Sequence, residues 1–156
     1  MWPQVPGTNI VIDAVLKSNN VWLDLDDSNS SRRYKLADTG GTDPKSGFGT
    51  SFRLWSSADG VHWHVEKDAT GLTSDRATVF PNPLRTPRRW TFSIKGYYPN
   101  INEEFGRSRL YWDTPSDDFF GAHWAETEPV QWQGGNAENL DPVRNSHPSL
   151  LRVQRN

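Results

Sequence analysis

Asp75-Arg76 places a carboxylate beside a guanidinium at the head of the β-forming run Ala77-Thr78-Val79-Phe80. A carboxylate so placed can accept hydrogen bonds from ligand hydroxyls while the guanidinium orients it and lowers its pKa. Adjacent strand residues point to opposite faces, so the same two residues also fit a turn-capping Asp next to a solvated Arg. A second carboxylate station is the cluster Asp24, Asp26 and Asp27 at the end of Val21-Trp22-Leu23-Asp24-Leu25. The cluster lacks the ligand spacing and the glycine of a calcium loop and reads as a turn. Asp24 is the carboxylate that could join Asp75. General acid/base work by such a pair requires environments that push the two pKa values apart, and neither residue has an apolar sequence context that raises one.

Other chemistry finds less support. His62 and His64 flank Trp63, and strand alternation would put both imidazoles on one face with metal-ligand spacing. No third ligand lies nearby, so no metal is assigned. The chain has no cysteine, which excludes disulfides and thiolate metal sites. Nucleophile elbows, phosphate loops and dinucleotide fingerprints are absent, so no cofactor is expected. The net charge of −2 comes from interspersed signs and offers no basic stripe for nucleic acid or an anionic membrane. No apolar run approaches the ~20 residues that span a bilayer, and no signal peptide is visible, so compartment is left open.

The elements that would position these groups are strands. Twelve Gly and eleven Pro among 156 residues punctuate the chain into short pieces. No window repeats apolar residues at helical spacing. Only 34% of residues are apolar, but eight Trp, seven Phe and four Tyr supply large buried areas. Strands are predicted at residues 9–12, 21–25, 32–37, 51–56, 61–65, 75–80, 89–95, 106–112 and 130–132, with a short helical turn within 119–124. Turns fall at Asp26–Ser31, Ser57–Gly60 and 113–118, and residues 38–49 are predicted to be a loop because of their Gly and Pro content.

Phe52-Arg53-Leu54-Trp55-Ser56-Ser57-Ala58-Asp59-Gly60-Val61-His62-Trp63 recurs loosely from Ser108-Arg109-Leu110-Tyr111-Trp112 onward. A period on the order of 50 residues is that of a four-stranded propeller blade. The expected fold is all-β, with four-stranded, β-propeller-like blades in an incomplete ring of about three. A β-sandwich with Trp-bearing strands is the alternative. The pattern covers residues 9–142, and residues 143–156 are expected to be a frayed tail.

Leu54-Trp55-Ser56-Ser57-Ala58-Asp59-Gly60-Val61-His62-Trp63 resembles the strand–turn–Trp cassette of the five-bladed β-propeller glycoside hydrolases, families 32 and 43. Ser74-Asp75-Arg76-Ala77-Thr78-Val79-Phe80 with Trp90-Thr91-Phe92-Ser93-Ile94 is similar to that group's central inner strand, with the Asp–Arg order reversed. Residues from Asn20 to Leu36 are similar to the preceding blade of family-32-like bacterial proteins, and full-length relatives of that kind would be secreted or periplasmic. The resemblance implies a carbohydrate partner, with Asp75 and Asp24 as the carboxylates and Arg76, Trp22, Arg33 and Trp55 as substrate contacts. Retaining and inverting hydrolysis would need carboxyl separations of ~5–5.5 Å and ~6.5–9.5 Å respectively. The first carboxylate motif of the family is missing before residue 20, and its acid motif would fall after Trp132, where the pattern stops. The expectation is therefore a partial glycoside-hydrolase-like chain that acts on or binds carbohydrate. A non-catalytic carbohydrate-binding module is the runner-up, and a structural fragment the third reading.

Overall fold

The computed structural model describes residues 8–12, 18–42, 50–74, 76–95, 109–125 and 127–133. Among them the chain is nearly all-β, and its sheets are antiparallel. The first sheet contains β1 (Asn20–Leu23), β2 (Tyr34–Thr42), β3 (Thr50–Ser57) and β4 (His64–Lys67) in chain order, with β5 (Leu72–Thr73) added to β3. The second sheet is β6 (Thr78–Asn82), β7 (Arg89–Lys95), β8 (Arg109–Asp113) and β9 (Val130–Gln133), again in chain order. A single 3₁₀ turn, Ser30–Arg32, leads from β1 into β2. The sequence repeat thus corresponds to two up-and-down meanders, with Arg53 and Arg109 both on third strands. Among the described residues there are two such sheets and they do not close into a ring.

One core joins the sheets. Ala37, Phe52 and Leu54 from the first meet Val79, Trp90, Phe92, Ile94 and Leu110 from the second, and Phe119 and Trp124 complete the cluster. Phe52 and Phe92 pack edge to face at 5.4 Å, and Trp90 and Phe119 at 4.8 Å. These are the offset geometries that an aromatic quadrupole favours. The opposite face of the first sheet holds Leu36, Trp55 and Trp63 beneath Ile12. Edge strand β1 lies beside β6. Asn20 donates to the Ala77 carbonyl and accepts from the Val79 amide, both at 3.3 Å, and Trp22 Nε1 donates to the Val79 carbonyl at 2.7 Å. Side chains of one sheet thereby satisfy main-chain groups of the other.

Several elements differ from the sequence expectation. Residues 8–12 contain no strand; they lie across the first sheet, with Ile12 8% exposed and Ile10 47% exposed. β2 continues through Asp38–Thr42, predicted as loop. The Asp38 carboxylate accepts from Gly40, Arg53 and Trp55, and a bulge between Asp38 and Gly41 absorbs the glycines. A Cβ on Gly40 would stand 2.3 Å from Asp38 Oδ1, so that arrangement requires glycine. β4 starts at His64 and not at Val61, because Asp59 Oδ1 captures the Val61 and His62 amides at 2.8 Å each. Trp63 Nε1 bonds the Gly60 carbonyl at 2.9 Å and still buries its ring. Residues 119–122 form one turn, Ala122 N–H to Phe119 C=O, that does not propagate as helix. The expected tail, residues 143–156, lies outside the described residues.

Candidate functional site

Asp24 follows β1 and is 5% exposed. Arg88, which enters β7, donates Nη1 to Asp24 Oδ1 at 2.7 Å and Nη2 to Oδ2 at 3.0 Å. Lys35 Nζ lies 3.0 Å from Oδ2, and the Asp26 amide donates to Oδ1 at 3.3 Å. An ionised carboxylate has about four acceptor positions, and these four donors fill them. Lys35, on the core face of β2 with its side chain 2% exposed, also holds Asp27 at 2.6 Å. Its Nζ is 5.5 Å from the Phe120 ring centre, a cation–π distance. Arg88 extends the network to Asp117 at 2.8 Å and to Asp26 at 3.2 Å.

Burial alone would push the Asp24 carboxyl up, but the hydrogen bonds from Arg88 and Lys35 outweigh it and hold the group below its ordinary range. Asp27 follows the same pattern: burial raises it, and Lys35 with the Asn29 amide brings it down further. The hydrogen bond to Asp24 pushes the Arg88 guanidinium above its usual range. A general acid needs a raised pKa and a base needs an unoccupied oxygen. Asp24 has neither. The cleft over this network, about 230 Å³, is lined by the ion-paired residues themselves.

The other expected site residues are dispersed. Asp75 lies outside the described residues. Arg76 is exposed in the left-handed region, φ +57°, and its amide is bonded to Ser18 at the head of β1. Asp24 is at the far end of that strand. Trp22 is 38% exposed, with its indole N–H turned onto β6. Trp55 is 0% exposed: Asp38 holds its indole nitrogen and the Arg53 guanidinium lies 4.6 Å over its ring. No face of Trp55 is open to a sugar. Arg33 is exposed and donates to the Ala58 carbonyl at 3.0 Å, tying the turn before β2 to the β3–β4 turn.

That second turn carries residues of a different character. Asp59 accepts the two amides described above, the Ser57 hydroxyl at 3.1 Å, and His62 Nδ1 at 2.7 Å. The His62 amide and imidazole, followed by the Val61 amide, depress its carboxyl well below the ordinary range. Ser56, 3% exposed, donates to Glu66 Oε1 at 2.6 Å. A cleft of about 440 Å³ opens between this turn and the Ser30–Arg32 turn. His62 leaves strand geometry for the turn, so the alternation that paired it with His64 does not apply. Among the described residues, no three His, Asp or Glu side chains converge to hold a metal ion.

Sequence reading missed Lys35, Arg88 and Glu66. Lys35 carried a usable signal: it shares a strand face with Ala37, and a charge on a core face must be paired. Arg88 carried none, since its partner Asp24 is 64 residues away. No family model, curated protein or solved structure matches this chain.

Proposed function

We propose that the chain is a glycoside-hydrolase-like β module that binds carbohydrate without hydrolysing it. The observation that carries this reading is the saturation of Asp24: four donors occupy the carboxylate that the hydrolase reading requires to be available. The propeller-like architecture is part of the proposal. It is supported by the two four-stranded meanders and by their first strands, which lie side by side with Asn20 against Ala77 and Trp22 against Val79, a constant spacing of 57 residues. The link to carbohydrate rests on the resemblance of the Leu54–Trp63 cassette to the family 32 and 43 propellers.

The test is to incubate the chain with a panel of aryl glycosides and plant and bacterial polysaccharides and to screen it on a glycan array. Glycan retention with no released sugar is expected. Sustained sugar release would overturn the non-catalytic reading, and a blank array would overturn carbohydrate binding.

A further inference from the structure

We propose that the cleft between the Ser30–Arg32 turn and the β3–β4 turn is the saccharide site, built to grip neighbouring hydroxyls of a neutral sugar. The proposal rests on the carbohydrate-binding reading and names its location and chemistry. Small-molecule sites usually occupy about 300–1,000 Å³. The cleft of about 440 Å³ falls inside that range, whereas the ion-pair cleft of about 230 Å³ falls below it.

The lining groups are held in place while part of each remains open. The Asp59 carboxylate is paired with His62 Nδ1 at 2.7 Å. The carboxylate fixes the ring's orientation and leaves Nε2 to hydrogen-bond a ligand hydroxyl, which can donate or accept. Glu66 Oε1 is held by the buried Ser56 hydroxyl, and Oε2 has no partner among the described residues. Asn29 uses its Oδ1 to cap the 3₁₀ turn, accepting from the Ser31 amide at 3.0 Å and hydroxyl at 2.6 Å. Its amide nitrogen is thereby left as a donor. Arg32 borders this cleft and the ion-pair cleft alike, and its guanidinium is engaged on the latter side, 5.2 Å over the Phe120 ring and 3.9 Å from Asp27.

An acceptor at Glu66, a donor at Asn29 and the second ring nitrogen of His62 match hydroxyls, each of which both donates and accepts. An anion would face Asp59 and Glu66, a repulsion that a neutral polyol avoids. The frame is rigid where it matters, since Ser56 and His64 are register partners in the β3–β4 ladder.

The experiment titrates the full chain with cellotriose, maltotriose and xylotriose. Amide chemical shifts and calorimetry are recorded for the wild type and Glu66→Gln. The Glu66 side chain is exposed, and the melting temperature of the variant serves as the check on folding. Shift changes centred on residues 29–32 and 56–66 are expected, with affinity falling about tenfold in Glu66→Gln, the loss of one hydrogen bond to a charged group. Binding with unchanged affinity in Glu66→Gln and shifts elsewhere would overturn the cleft assignment and leave carbohydrate binding intact. No binding of any trisaccharide together with a blank glycan array would overturn both.

Discussion

Asp24→Asn is the substitution that most sharply separates a structural carboxylate from a catalytic one. It keeps the shape and removes the charge between Arg88 and Lys35. Breaking a buried ion pair by removing one partner costs about 3–5 kcal/mol. The low end applies here, because Lys35 keeps Asp27 at 2.6 Å and Arg88 keeps Asp117 at 2.8 Å. For a chain of this size about 1 kcal/mol moves the melting temperature by roughly 2–4 °C, so a loss of about 3 kcal/mol predicts a fall of about 6–12 °C. Calorimetry at pH 7 measures it. The same variant tests the pH dependence. The native Asp24 carboxyl is held below its ordinary value, so the unfolded chain takes up its proton first as pH falls. The stabilisation is complete above the unfolded pKa of about 3.9 and is lost as pH drops through the lower native value. The wild type should therefore lose stability more steeply below about pH 4 than Asp24→Asn does. A melting shift under about 2 °C, with parallel acid profiles, would refute the claim that this ion pair holds the sheets together.

Two further substitutions probe the same inter-sheet construction. Asn20→Ala leaves the Ala77 carbonyl and the Val79 amide without their side-chain partner and should cost about 1–3 kcal/mol; a lowered urea midpoint at constant m-value is the expected signature, and an unchanged midpoint would show that water replaces the amide. Gly71→Ala would place a Cβ 2.5 Å from the Trp124 carbonyl and 2.6 Å from its indole. Overpacking of this kind costs about 1–3 kcal/mol, read as a lower melting temperature and as altered Trp fluorescence.

The strands were legible where local chemistry decides them. The turn cluster after Ser56 brings β3 to its end one residue later, at Ser57, and the strand expected over 89–95 is β7, Arg89–Lys95. Asp38–Thr42 was not legible. Its Gly and Pro surroundings read as loop, whereas the strand persists because Asp38 is satisfied by Arg53 and Trp55, 15 and 17 residues away. The same limit governs the site. Asp24 was identifiable as a notable carboxylate, but its role depends on Arg88, contributed by the other sheet. Trp22 and Trp55 are one residue type in similar β-rich contexts, and only tertiary packing makes one half-open and the other sealed.

The distribution of carboxylates then argues where ligand chemistry can reside. The two buried aspartates among the described residues, Asp24 and Asp38, each carry cationic and N–H donors. That is the condition for keeping a charge away from water, and it is incompatible with accepting a substrate's hydroxyls as well. Freeing either oxygen would leave Lys35 or Arg53 with a poorer partner, so a ligand competing there would have to offset the loss of an ion pair. Asp59 is exposed but occupied by its own turn. Glu66 differs from all three: a buried hydroxyl orients it, one oxygen remains open, and it faces the larger cleft. Under the proposed reading, recognition falls to the turns while the buried charges hold the two sheets together.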